Sequence, residues 1–296
     1  MLCHICGSDT SFVGIKKGKY SVRDFEFREC KNCGFAFVSN PITDCKSLYN
    51  EEYYHGHGAD PSVDYVSELL HPNTTIRRFE WYGITEMLGN LFDIEGGGGS
   101  KKWLDIGCGN GALVRYALSR NINCVGAEEG WIADKVRTEF SIPIIPFDDI
   151  RGTYDIITAI EVIEHIQYPL EFLQRLKQFM KPNGLFFYTT GNSSPFRNNL
   201  LKWSYVCPEV HISYFNPHCM KIALEKTGFK AIQCSKLPAG MEYIILFKVL
   251  KTFGVKQFKM SDYIKSSSIF RFLIKIGASL VNKKYQISNM PIGICK

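Results

Sequence analysis

The chain has 296 residues, 45% of them hydrophobic and 22% charged, enough to bury a full core with appendages and ordinary for a globular enzyme. No uninterrupted apolar run reaches the roughly 18 residues that a membrane-spanning helix requires; the longest, 269–281, is shorter and carries Arg271 and Lys275. The start, Met1-Leu2-Cys3-His4, lacks a basic-then-apolar secretion signal, so a cytoplasmic location is expected. The net charge of +6 is unevenly spread: residues 236–296 carry eleven Lys and Arg against Glu242 and Asp262, and the rest is net acidic. Such a basic extension suits an anionic partner (a nucleotide, a phosphosugar, a lipid surface or nucleic acid) or is simply a solvated lysine-rich face.

Four of the eleven cysteines stand in two pairs, Cys3-x-x-Cys6-Gly7 and Cys30-x-x-Cys33-Gly34. Two such knuckles, their glycines letting backbone amides turn toward thiolates, point to a four-cysteine zinc site; a redox or vestigial site is the alternative. His4 reads as a spectator, since four thiolates close the shell. Residues 1–40 therefore form a small module, with a hairpin expected within 12–27. Residues 41–61 read as a loop rich in Tyr49, Tyr53 and Tyr54, with His55 and His57 close by. Apolar spacing predicts a helix over 73–92, capped by Asn73 or Thr74. Gly96 to Ser100 then reads as a flexible linker, natural or engineered, that closes a segment 41–100.

From Lys101 the pattern alternates. Strands are expected at 102–106, 124–128, 142–145, 154–160 and 184–189, with helices at 112–119 and 170–180. Two further strands are expected near 230–236 and 291–295. This predicts an α/β fold: a Rossmann-like, mostly parallel sheet over 101–236 with helices on both faces. A basic, helical extension over 237–296 ends in an edge strand.

The run Trp103-Leu104-Asp105-Ile106-Gly107-Cys108-Gly109-Asn110-Gly111 places three glycines between an apolar strand and a helix. Glycine there permits tight turning and close approach to a ligand, and the helix N-terminus favours a carboxylate. GxGxG spacing after an acid, rather than GxGxxG, favours S-adenosylmethionine, whose α-amino group could use Asp105. Glu128, ending the next strand, could accept both ribose hydroxyls. Asp148 could meet the adenine amino group, with Asp149 competing. On these residues, 101–190 resembles class I S-adenosylmethionine-dependent methyltransferases.

The fourth strand runs into Glu161-Val162-Ile163-Glu164-His165. A helical turn starting at Glu161 would bring 161, 164 and 165 to one face, and His211 could join them. Two carboxylates and two imidazoles would suit Mg²⁺ or another divalent cation. Glu164, His165 and His211 are thus the catalytic candidates, with or without metal, and a purely structural role for the motif is the third reading. The motif is similar to that of ubiquinone-pathway O-methyltransferases and of small-RNA 2′-O-methyltransferases, in which a metal positions the acceptor hydroxyls. The order zinc knuckle, tyrosine-rich segment, helix and methyltransferase resembles bacterial sugar C-methyltransferases and polysaccharide-pathway methyltransferases, which implies that the N-terminal part shapes the acceptor pocket.

The reading favoured by the sequence is methyl transfer to a hydroxyl of a small molecule, such as a sugar or an anionic or nucleotide-linked metabolite. Three others compete: RNA 2′-O-methylation, sugar C-methylation, and a non-catalytic zinc-organised interaction protein. No basic stripe interleaved with aromatics runs through the catalytic half, which counts against a nucleic-acid partner.

Overall fold

The computed structural model describes residues 1–58, 63–92, 101–230, 240–252, 254–255 and 293–295. The glycine linker, the expected strand beyond Lys230, the apolar run 269–281 and most of the basic extension lie outside these residues.

The N-terminal segment forms β1 (Thr10–Lys17), β2 (Asp24–Cys30) and β3 (Ala36–Val38), three antiparallel strands. After them come three short helices, α1 (Cys45–Leu48), α2 (Glu51–Tyr54) and α3 (Tyr65–Leu70), and then α4 (Arg77–Phe92). The first two helices fall in what the sequence presents as loop. The fourth begins later than the cap expected at Asn73 or Thr74. It is Thr75 whose hydroxyl accepts the Arg77 amide at 3.2 Å.

The second half builds β4 (Trp103–Ile106), α5 (Ala112–Ser119), β5 (Cys124–Ala127), α6 (Trp131–Phe140), β6 (Ile144–Ile145), β7 (Tyr154–Ile160), α7 (Pro169–Gln178) and β8 (Met180–Thr189). Then follow β9 (Ser213–Tyr214), α8 (Pro217–Lys226), α9 (Met241–Thr252) and β10 (Gly293–Cys295). The main sheet has the order β10-β8-β7-β4-β5-β6. Five strands are parallel, and β10 closes the β8 edge antiparallel, with Ile294 opposite Phe187.

Side chains on the central strands alternate between two cores, as strand geometry requires. Trp103, Ile156 and Phe187 pack on one face with α4, α5, α6 and the start of α9. Leu104, Ile157 and Phe186 pack on the other with α7 and α8. Both faces are covered, as a Rossmann-like parallel sheet demands. The sheet reverses order between β4 and β7, and a cleft for ligands is expected at the carboxyl ends of strands flanking such a point.

The N-terminal sheet is not closed by its own residues. Its order is β1-β2-β3-β9, so its fourth strand comes from the segment after β8. The cysteine side chains also pack in the same apolar cluster as Leu104, Phe215 and Cys219.

Candidate active site

A cavity of about 1030 Å³ opens at the carboxyl ends of β4, β5 and β7, lined among others by Gly107, Gly109, Glu128, His165 and His211. Gly107, Gly109 and Gly111 all adopt left-handed backbone, with φ of 62°, 53° and 66°. At Gly107 space is also a constraint: a Cβ there would stand 2.6 Å from Val162 Cγ2. Gly111 caps α5, so the loop delivers its backbone to the cavity wall and its last glycine to the helix start.

Glu128 follows the last residue of β5 and lines the cavity. Its carboxylate accepts the amides of Gly109 at 2.9 Å and Glu129 at 3.0 Å. Burial nevertheless pushes its pKa up, the two amide bonds only partly offsetting that. Phe147 lines the same wall.

Two expected ligand contacts are placed differently. Asp105 is buried and does not line the cavity. It accepts the Thr158 hydroxyl at 2.5 Å, and Thr158 in turn accepts the Trp103 indole N–H at 2.9 Å. Burial raises Asp105 to about 7. Asp148 is exposed in a 3-10 turn, Phe147–Asp149, and its carboxylate pairs with Arg175 at 2.6 Å. The sequence places it near adenine, but the guanidinium of Arg175 engages it, and Phe147 borders the cavity instead.

Arg77 carries no sequence motif, yet it lines the cavity beside the glycine loop. It stands between the buried carboxylates of Glu68, at 3.8 Å, and Glu80, at 3.5 Å. Arg77 Nε, Glu68 Oε2 and Glu80 Oε1 are all buried without a hydrogen-bond partner among the described residues. Only Arg77 Nε among these is a donor, and Glu68 Oε2 is its ion-pair partner, so the three residues form a buried ion-pair cluster on the cavity wall.

Beyond β7 no helix starts at Glu161. Its φ is 55°, and its amide donates to Thr189 O at 3.0 Å, which ties it to β8. A 3-10 turn begins two residues later, Ile163–His165. Glu161 is therefore turned out of the set that helical spacing predicts, and Lys248 of α9 takes its carboxylate at 3.2 Å. Burial alone would raise Glu161, but Lys248 and Lys251 outweigh it and hold the group at about 2.

The other three residues do converge: ligating atoms of Glu164, His165 and His211 lie within 4.8 Å of one another. The two imidazoles are 4.9 Å apart, edge to face. Glu164 is wholly buried and accepts hydroxyls from Thr190, at 2.8 Å, and Tyr205. Burial and the neighbouring Glu161 charge raise it to about 8. Tyr49 meets His165 Nδ1 at 2.8 Å, so the tyrosine-rich segment reaches the cluster. His211 Nδ1 lies 2.7 Å from Tyr205 O; a carbonyl only accepts, so Nδ1 carries the proton. Such a trio could hold a divalent cation or, without one, supply an imidazole base.

Tyr205, Thr190 and Lys248 were not foreseeable as site residues. Nothing local marks them, and only the fold brings them to the Glu164 loop.

The four N-terminal thiols also cluster, their sulfurs within 4.8 Å of one another. Cys3 and Cys33 are 3.6 Å apart, and Cys6 and Cys30 3.4 Å. Two sulfurs each about 2.3 Å from a tetrahedral ion stand about 3.8 Å apart, so the set fits zinc. Gly7 and Gly34 are left-handed, and their amides close the two knuckles onto Cys3 O and Cys30 O. The contact between Cys3 and Cys33 is one-sided: it lowers the Cys3 thiol and pushes the Cys33 thiol well up.

Among known proteins, the chain is 29% identical over 120 residues to a ubiquinone biosynthesis O-methyltransferase from Acinetobacter baylyi, covering 36% of this chain and 50% of that protein. Against the Pseudomonas aeruginosa protein of the same description it is 28% identical over 118 residues, 36% of this chain and 51% of that one. The chain thus spans about half the length of the curated relatives it matches. Among solved structures, magnesium protoporphyrin IX methyltransferase from Synechocystis superposes with a TM-score of 0.45 at 15% identity, over 64% of this chain and 90% of that one. The family described as "Methyltransferase domain" matches residues 84–234, just over half of the chain, and takes in the five parallel strands β4 to β8. The chain belongs to the methyltransferase-domain family.

Proposed function

We propose that the protein transfers the methyl group of S-adenosylmethionine to a hydroxyl of a small acceptor, such as a sugar or an anionic or nucleotide-linked metabolite. The observation that carries this reading is one continuous cavity joining the glycine loop and Glu128 to His165 and His211.

The residues fit the cofactor. The backbone of Gly107 and Gly109 forms a cradle that a side chain would fill. Glu128 is a buried carboxylate suited to the ribose hydroxyls. Arg77 lines the cavity, ion-paired to Glu68 and Glu80, and its guanidinium is the candidate partner for the carboxylate of the amino-acid end. Asp105 ties β4 to β7 through the Thr158 hydroxyl just before the loop begins. When bound, S-adenosylmethionine supplies a methyl group on a sulfonium already activated for in-line displacement. The protein's task is then alignment of the nucleophile and removal of its proton. His165 and His211 border the cavity where that proton would leave, with Glu164 buried behind them. A divalent cation such as Mg²⁺ held by these three would lower the pKa of an acceptor hydroxyl.

The cavity walls suit a small molecule better than a nucleic-acid strand: they alternate aromatic rings with both signs of charge. Lys19 and Lys251 lie on them and match an anionic acceptor. The relatives named as O-methyltransferases favour a hydroxyl over a carbon nucleophile. Zinc at Cys3, Cys6, Cys30 and Cys33 is part of the same proposal, as a structural ion.

The test is transfer of labelled methyl from S-adenosylmethionine to a panel of sugars, sugar nucleotides, phenolic hydroxyl compounds and RNA. Label in one class, lost in His211→Ala, is the expected result. Label in RNA only would replace this reading with the nucleic-acid one.

A further inference from the structure

We propose that Tyr205 is a positioning residue that sets two members of the Glu164–His165–His211 cluster at once, the proton position and ring plane of His211 and the carboxylate of Glu164. This rests on reading the cluster as the acceptor-activating centre.

Tyr205 meets the cluster through three separate parts. Its carbonyl accepts His211 Nδ1–H at 2.7 Å, which leaves Nε2 as the basic nitrogen. Its ring stacks on the His211 imidazole, with centroids 4.3 Å apart and planes 29° apart. Its hydroxyl donates to Glu164 Oε1. A phenol has one proton to give, so the longer contact to Glu161, at 3.2 Å, is not a second donated bond while Glu164 holds it. The phenol oxygen meanwhile accepts the Gly191 amide at 3.1 Å. The chain Gly191 N–H to Tyr205 O–H to Glu164 thus runs in one direction, and each bond polarises the next.

The ring has little freedom. Trp203 stacks on it at 4.7 Å, and Phe196 stacks on Trp203 at 5.0 Å, so His211 ends a ladder of four rings. Gly191 makes room for the ladder: a Cβ there would lie 2.4 Å from Tyr205 Cε1 and 2.7 Å from the Trp203 ring. Its φ is not left-handed, so the space, not the backbone conformation, demands glycine. A partner that fixes which nitrogen of a ligating or basic histidine bears the proton decides whether that histidine can act.

The experiment uses the full chain labelled with ¹⁵N-histidine, the His211 signal being assigned by its loss in His211→Gln. Wild type should show a single Nδ1–H tautomer. The backbone carbonyl survives every substitution, so the variants ask whether the stacked ring holds the imidazole against it: Tyr205→Leu, which removes the ring, and Gly191→Ala, which displaces it, should each give a mixture of tautomers, whereas Tyr205→Phe, which keeps the ring, should not. Tyr205→Phe should instead weaken Mn²⁺ binding at the cluster about 10–100-fold, the usual effect of losing a partner behind a metal ligand. Calorimetry with S-adenosylhomocysteine reports whether each variant is folded. If Gly191→Ala is not, Tyr205→Leu decides alone. A single Nδ1–H tautomer retained by every folded variant overturns the proposal. Should wild type bind no Mn²⁺, the metal reading falls by itself, and the histidine spectra still decide the role of Tyr205.

Discussion

Lys248 Nζ and Glu161 Oε1 stand 3.2 Å apart across 87 positions of sequence, and Lys248 lies 3.7 Å from Glu80 on its other side. The helix α9 thereby places a cation between α4, which precedes the main sheet, and the loop that follows β7. Lys248→Met should leave two carboxylates facing each other without that charge. The expected loss of stability is up to about 3 kcal/mol, as for a broken pair that is largely buried. Glu161→Gln in the same chain should recover part of it. Urea unfolding of the single and double variants measures both.

Cofactor binding should depend on the loop geometry. Gly107→Val combines a left-handed φ with a clash against Val162, so calorimetry should find no binding of S-adenosylmethionine. Glu128→Ala should weaken binding by about 1.5–3 kcal/mol, the range for hydrogen bonds to a charged group. Wild-type affinity in Gly107→Val would remove the cofactor assignment.

Asp105 carries a pH dependence whose sign follows from its environment. Its folded pKa is raised from 3.8 to about 7. Folding is therefore unpenalised while the carboxyl is protonated in both states, below pH 4. Stability declines as pH rises toward 7, where the unfolded chain has ionised and the folded one resists. The full loss is on the order of 4 kcal/mol above pH 7. Asp105→Asn should keep the Thr158 bond and flatten this slope. Melting the ligand-free protein between pH 4 and 8 tests it; parallel profiles for the two proteins would contradict the burial argument.

About one zinc per chain should copurify, and Cys30→Ser should release it. The structural consequence should reach beyond residues 1–40. Asn216 Nδ2 donates to Cys33 O at 3.0 Å and Gly34 O at 2.9 Å, and β3 pairs with β9. Hydrogen exchange should rise at 211–216 as well as in the knuckles, while β4 and β7 stay protected.

If a divalent ion serves the Glu164 cluster, EDTA should abolish turnover, and Mn²⁺ should restore it without affecting S-adenosylhomocysteine binding. His211→Ala should have the same effect with zinc content unchanged. Turnover unaffected by chelator would leave His165 or His211 as the base.

What could be read from sequence followed from local patterns. The glycine loop, the strand before it and the helix over 112–119 each depend on neighbours a few positions away, and these appear where expected. Glu164 and His165 were nominated with Glu161 by helical spacing and His211 by residue type, and the fold brings Glu164, His165 and His211 together. Glu161 was nominated by helical spacing, but that assumes a helix where the Glu161 amide is bonded to β8. Asp148 was nominated by position after a strand; a distant arginine engages it. Arg77, Tyr205 and Lys248 were invisible because each acts through partners that chain topology alone brings near. The helices α6 and α8 were not singled out, although Asn216 and Pro217 supply a start signal for the latter.

The pairing of β3 with β9 also sets an order of events at the ribosome. Ala36 lies opposite Tyr214, so the first sheet emerges long before the strand that covers its edge has been made. At typical bacterial to eukaryotic elongation rates the delay is roughly 10–35 s. Throughout that interval the backbone of β3 offers an unpaired edge flanked by Phe35 and Phe37, a template for other nascent strands. Early metal capture by the two knuckles would hold this hairpin in shape while it waits. A chain arrested after residue 190 should accordingly aggregate faster in zinc-depleted translation mixtures than in zinc-replete ones.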